Sequence, residues 1–231
     1  MSAGSGVVLA LDEAPNPWFD AGYVVDSWDS ILRYLGEHVR LTVGALVIGT
    51  LIALPLALLA RRNRLLSGCV LGLSTVVYTI PSLAMFAFIF PFTGLSATTV
   101  LIGLTAYSLV ILVRNFLVGL QGVPADVQEA ARGMGYGPAR LFAQVDLPLA
   151  LPAFMAGLRI ATVSTVALAT VGVITGNGGL GQLIVGGFNA NFYRAEIVTG
   201  TVGCVLLALL ADVLLAGAER LLTPWTRAVR T

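Results

Sequence analysis

"EAARGMGYGPARLFAQVDLP", residues 129–148, is the one long polar stretch in the interior of a chain made almost entirely of hydrocarbon. It carries Glu129 and Asp146, Arg132 and Arg140, glycines at 133, 135 and 137, and prolines at 138 and 148. Upstream, "GVPADVQ" extends the polar character back to Gly122. Gly122 suits the end of a preceding helix, and Pro124 suits a first helical turn, where its missing N–H would be unpaired anyway. Asp126 and Glu129 then sit where the helix dipole favours acids, and Arg132 is placed to pair with Glu129 at i+3. Ala130 and Ala131 give that short helix a smooth face. Gly133, Gly135 and Gly137 permit a sharp exit through backbone conformations closed to other residues. Pro138 opens a second short helix, which Leu147-Pro148 is expected to end. From the residues alone this is either a plain loop or a compact two-helix docking knob.

Outside the insert, the composition is that of an integral membrane protein. The 231 residues are 57% hydrophobic and 11% charged, with a mean hydropathy of +0.91. Soluble domains average about 25% charged. A helix needs about 20 apolar residues to cross the hydrocarbon layer, and five runs qualify, at about 39–60, 66–90, 97–118, 152–175 and 197–217. Arg61, Arg62 and Arg64 stop the first. Pro81 should kink or break the second.

Five spans put the termini on opposite sides. With the N-terminus outside, the inner segments hold Arg61, Arg62, Arg64, Arg114, Arg132, Arg140, Arg159, Arg220, Arg227 and Arg230. The outer segments hold only Arg33, Arg40 and Arg194. The positive-inside rule therefore places the insert, about 122–150, in the cytoplasm, together with the tail 221–231. Residues 1–37 form an extracytoplasmic segment with no basic leader, expected to be retained rather than cleaved. Within it Val24, Trp28, Ile31 or Leu32, Leu35 and Val39 recur at helical spacing, which predicts an amphipathic helix lying on the outer surface or packed on the bundle.

Several functions are excluded by what the chain lacks. All 13 basic residues are arginine. Without lysine there is no standard P-loop and no Schiff-base chemistry. One histidine, His38, and two distant cysteines, Cys69 and Cys204, do not make a metal site; they read as an interfacial imidazole and two small buried hydrophobes. A net charge of +1 with no basic patch gives nucleic acid no purchase. No residue is proposed as catalytic. An ion-coupled secondary transporter would want midplane carboxylates and an internal repeat, neither of which is visible.

The spacing Glu129-Ala130-Ala131, three residues, Gly135, nine residues, Val145, one residue, Leu147-Pro148 resembles the EAA signature of permease subunits of type I ABC importers. Valine stands where that family usually shows isoleucine. The likeness spans about residues 38–220. It implies an all-α, five-helix type I importer transmembrane fold, shared with methionine importers, in which the insert is a cytoplasmic coupling helix. Carried across, Glu129, Ala130, Ala131, Gly135, Leu147 and Pro148 become the ATPase-docking signature. It also implies a second permease, identical or paralogous, two ATPase subunits that use ATP and Mg, and a separate extracytoplasmic binding protein, all at a bacterial cell membrane. The chain itself is expected to bind no cofactor and hydrolyse nothing.

"TIPSLAMFAFIFPFTG", "LVRNFLVGLQGV" and "GNGGLGQLIVGGF" are similar to permeases for quaternary-amine osmoprotectants: glycine betaine, choline, carnitine or proline betaine. Methionine or other amino-acid importers are the alternative. Gly178, Gly179 and Gly181 match a dinucleotide fingerprint in letters only, since no strand precedes them; an outer turn facing the binding protein is expected instead. Tyr78, Phe86 and Tyr107 are candidates for the translocation path, with core packing as the plain alternative. Arg159 and Asp212 are expected to pair within about 6 Å.

Overall fold

The structure, a computed structural model, describes residues 16–227. The reading of residues 1–15 as a retained extracytoplasmic segment falls outside them, as does Arg230 of the tail. Helix α1 spans Ala21–Asp26, α2 Trp28–Ala60, α3 Arg64–Thr79, α4 Ser82–Thr93 and α5 Ala97–Gln121. Then come α6 Ala125–Gly133 and α7 Pro138–Leu141. A π-helical turn, Phe142–Asp146, leads into α8 Leu147–Ala169, which tightens to 3-10 over Thr170–Thr175. Helices α9 Gly181–Asn189 and α10 Arg194–Leu222 complete the bundle.

Close approaches fix the direction of each crossing. A methyl added at Gly44 would meet Leu101, and one at Gly49 would meet Ser108 and Leu112, so α2 and α5 run parallel. The segment between them must therefore return across the whole layer. It does so as α3 and α4, bent 95° against each other at Ile80-Pro81. Proline supplies no N–H and restricts the residue before it, so the helix stops where the sequence predicts. Helix α8 runs against α5, with Gly119 beside Ala150 and Gly157 beside Asn115. Helix α10 runs against α8, joined by Arg159 and Asp212. Four elements, those of α2, α5, α8 and α10, are long and apolar enough to cross a membrane, and the bent α3–α4 pair counted as one span makes five.

Among hydrocarbon tails, helices gain little from hiding oil, and packing depends on close approach. Ala45, Gly49, Ala53 and Ala57 recur every fourth residue on α2, all buried, and this small-residue stripe seats α5. Around it lie two cores. Phe116, Leu117, Leu112 and Phe154 fill the end bearing the insert. Phe86, Val100, Leu104 and Leu41 fill the other. Helix α10 stands largely apart, with 6% of its apolar window buried in the single chain.

Three expectations are revised. The amphipathic stretch is not a separate surface helix: from Trp28 it continues into α2, whose 33 residues extend about 50 Å, well beyond the ~30 Å hydrocarbon layer. Leu147-Pro148 does not end a helix: the π turn closes with the Leu147 N–H on the Phe142 carbonyl, Pro148 falls in the first turn of α8, and Pro138–Thr175 is one continuous element. His38 is fully buried rather than interfacial, while Cys69 is exposed and Cys204 only half-buried.

The α5–α8 contact predicts a pair of outcomes. Gly157→Val would drive a methyl to 2.4 Å from Asn115 Cβ, an overpacking that costs about 1–3 kcal/mol. It should lower the thermal unfolding midpoint of the detergent-solubilised protein. Gly217→Ala on the outer face of α10, where a methyl meets nothing within 4 Å, should leave that midpoint unchanged or raise it.

Candidate functional site

Helix α5 ends at Gly122, and Pro124 takes the N-cap of α6, one residue earlier than a first-turn position. Helix α6 has two faces. Ala131 is buried and Gln128 half-buried on the inner one. Val127, Ala130 and Met134 are exposed on the outer one, Met134 being 69% accessible. Their i, i+3, i+7 spacing makes a short apolar strip flanked by the exposed acids Asp126 and Glu129. The two alanines of the signature therefore divide the work: Ala131 packs inward, and only Ala130 faces out.

Arg132 donates to Gln128 one turn back at 3.5 Å rather than pairing with Glu129. Glu129 makes no ion pair among the described residues. Of the three glycines only Gly135 needs left-handed backbone, at φ +83°. Gly133 completes α6 and Gly137 is extended. The exit is closed by N–H bonds from Met134, Gly135 and Tyr136 to the carbonyls of Ala130, Arg132 and Ala131. The Arg140 guanidinium lies 4.1 Å over the Tyr136 ring.

The insert is fastened to the bundle by Asp146, whose side chain is 1% exposed. Arg61 at the end of α2 donates Nη1 to Asp146 Oδ2 at 2.7 Å. Gln128 of α6 donates Nε2 to Asp146 Oδ1 at 3.1 Å. One buried carboxylate therefore joins the first span, the insert helix and the base of the fourth span, and it does so from within the π turn. Such turns recur at functional positions because they re-aim side chains inside an otherwise regular helix. Leu147 and Pro148 are half-buried beside it.

A second charged joint ties α8 to α10. Arg159 is bidentate on Asp212 at 2.8 and 3.0 Å, well inside the expected 6 Å. It also reaches Glu219 at 3.3 Å, one partner more than expected. Thr162 satisfies its hydroxyl on its own helix at Leu158.

At the opposite end, Gly178, Gly179 and Gly181, expected in an outer turn, are all buried within the chain. Added methyls would lie 2.5 Å from the Val173 nitrogen, 2.6 Å from His38 Cβ and 2.5 Å from the Thr170 oxygen respectively. These glycines exist for close approach. His38 locks the same corner, accepting the Leu180 N–H at Nδ1 and donating from Nε2 to the Val166 carbonyl, 3.0 Å away. Residues 16–23 strap this end, with Asn16 bonded to Phe192 and Arg194 and Asp20 to Tyr193. Burial and the neighbouring Glu196 push the Tyr23 phenol up to about 12, so it stays neutral.

The three aromatic candidates separate. Phe86 is 1% exposed and packs on Gly103, so in the single chain it is core. Tyr107 is buried, donates its hydroxyl to the Ile80 carbonyl and meets Tyr78 edge-on at 5.9 Å. Tyr78 is 49% exposed. The residues that sequence reasoning missed are Asp146, Gln128, Val127 and Met134, with Arg61 counted only for topology. An acid in the apolar approach to a span was the available signal for Asp146.

A family model described as binding-protein-dependent transport system inner membrane component matches residues 45–228. The choline transport system permease protein OpuBB of Bacillus subtilis (strain 168) is 37% identical over 189 residues, 81% of this chain and 86% of the relative. A glycine betaine/carnitine/choline transport system permease protein, OpuCD, of the same organism is 36% identical, covering 84% and 85%. The osmoprotectant import permease protein OsmW of Salmonella typhimurium is 32% identical, covering 87% and 96%. Among solved structures, an inward-facing MetNI methionine ABC transporter superimposes with a TM-score of 0.78 at 23% identity, over 86% of this chain and 98% of that one. That likeness shows the fold.

The Asp146 joint makes a prediction independent of transport. Arg61→Met strands a buried carboxylate and should cost up to about 3 kcal/mol. Adding Asp146→Leu should recover much of that loss, because the stranded charge is gone. A double-mutant cycle on thermal or denaturant unfolding of the purified protein measures the coupling; additive losses would show that the pair is not joined.

Proposed function

This chain belongs to the family of binding-protein-dependent transport system inner membrane components, and from that premise we propose that it is the permease of an importer for a quaternary-amine osmoprotectant. Glycine betaine, choline, carnitine and proline betaine are the substrate class. The relatives that match over more than four fifths of this chain carry choline, glycine betaine and carnitine in their names, which supports that class over methionine. Two such permeases, identical or paralogous, enclose the path. A separate binding protein delivers substrate outside, and two ATPase subunits work in the cytoplasm, the side to which the positive-inside rule assigns ten of the 13 arginines. The bacterial cell membrane is the setting, with the N-terminus outside and the C-terminus inside.

The observation that carries the mechanism is the two-faced insert helix. Val127, Ala130 and Met134 offer an apolar strip and Glu129 an unpaired charge to the ATPase. Gln128 on the inner face hands any displacement to Asp146, and Asp146 passes it to Arg61 and to the base of α8. A helix held this way moves as a rigid body with two spans, and closing of the ATPases turns the bundle outward. ATP and Mg are used by the ATPases, since the chain has no lysine for a P-loop.

In proteoliposomes with all subunits, Glu129→Lys and Gly135→Val should each reduce choline uptake to background. The second acts through strain at φ +83° rather than through crowding, since a methyl there meets nothing within 4 Å. Stimulation of ATP hydrolysis by the loaded binding protein should be lost as well, with membrane insertion unchanged. Full uptake by both variants would contradict the coupling role.

A further inference from the structure

The 95° break between α3 and α4 leaves backbone open at a depth where lipid could not tolerate it. Tyr107, at this level, is the eleventh of the 25 residues of α5, near its middle. Thr79 and Ile80 are exposed in the single chain, as are Tyr78 and Pro81. The carbonyl of Val76 accepts the Thr79 hydroxyl, that of Val77 the Ile80 N–H, and that of Ile80 the Tyr107 hydroxyl. Those of Tyr78 and Thr79 accept no bond from any described residue. Non-helical backbone within the membrane persists only where it is buried in protein or lines a water-filled cavity.

The face leading to the break is also unlike a lipid face. Gly68, Gly72, Thr75 and Thr79 recur at i, i+4, i+7 and i+11 on α3, all exposed, and methyls added at the two glycines would meet nothing. Leu73, 70% exposed on the other side of the helix, is what a lipid-facing position looks like. A dry protein contact would leave the two free carbonyls unsatisfied at substantial cost; water or a cation would satisfy them. They also form the negative end of the α3 dipole, which favours a positive charge. The half-exposed Tyr78 ring stands beside them, steadied by Tyr107.

We infer that the α3–α4 break lines the translocation path and that Tyr78, with the free carbonyls of Tyr78 and Thr79, is where a quaternary ammonium touches this chain in transit. The ring offers a cation–π face, and the helix end offers oxygen dipoles without a fixed charge that would hold the substrate too long. Tyr107 acts as a positioning residue through its bond to Ile80. This rests on the osmoprotectant reading above and adds the contact site.

The test uses the complete transporter in proteoliposomes, with Cys69→Ala and Cys204→Ala removing the native thiols. Thr79→Cys should react with the trimethylammonium-ethyl methanethiosulfonate reagent, which does not cross lipid, and choline should slow that reaction several-fold. Leu73→Cys should stay unreacted. An unreactive Thr79→Cys in a transporter that carries choline overturns the inference alone, because the break is then sealed by protein or lipid. Reaction with no slowing by choline overturns the cation contact. With the loaded binding protein at saturation, Tyr78→Phe should keep its transport rate and Tyr78→Leu should lose about 3- to 10-fold; equal rates would also overturn the contact. Absence of uptake of any quaternary amine by the unaltered transporter would instead overturn the substrate class.

Discussion

The seam between α2 and α5 is the contact on which the other elements depend. Its four small residues, Ala45, Gly49, Ala53 and Ala57, let two backbones approach closely enough for dispersion forces to act where hiding apolar surface gains nothing. Because the two helices run parallel, the chain between them has to cross back in a single pass, and the α3–α4 pair does so with a sharp break. Because α5 is then surrounded, α8 must pack on its remaining face, and Gly119 and Gly157 provide the room. The topology follows from where side chains are missing.

The ion pairs among the described residues sit at joints between helices. Asp146 binds the insert helix to α2 and α8, and Arg159 binds α8 to α10. Buried ion pairs of this sort add little net stability, but breaking one partner is costly, so they specify geometry more than they strengthen it. That property suits a part that must move without coming apart. The apolar strip of α6 faces outward while its polar Gln128 faces inward, the reverse of a soluble surface helix. This reversal is what a helix needs when its outer face is to be covered by another protein and its inner face wired into a bundle.

Much of this was legible in the sequence, and the gaps have physical causes. Span positions follow from run length, the break from Pro81, and the Arg159–Asp212 pair from two lone charges at matching depth. Asp146 was read as part of a loop because its partner Arg61 lies 85 residues away, and no local pattern reports such a contact. The glycines at 178, 179 and 181 were read only as a tight outer turn, because a glycine letter does not say whether conformation or space demands it; here the near approach of Val173, His38 and Thr170 does, joined at Gly179 by a left-handed backbone. Ala131 was placed outward with Ala130 because helical phase is visible in a sequence only once the element behind the helix is known. Pro148 was taken as a helix end, since a π turn that tolerates it has no signature of its own.

The account stands or falls on what touches the outer face of α6. A photo-activated cross-linking side chain placed at Ala130, which is exposed there, tests this directly in membranes containing the whole transporter. The account predicts a covalent adduct with the ATPase subunit and none from the same group at Leu209 on α10. An adduct with the binding protein, or none with the ATPase, would contradict it.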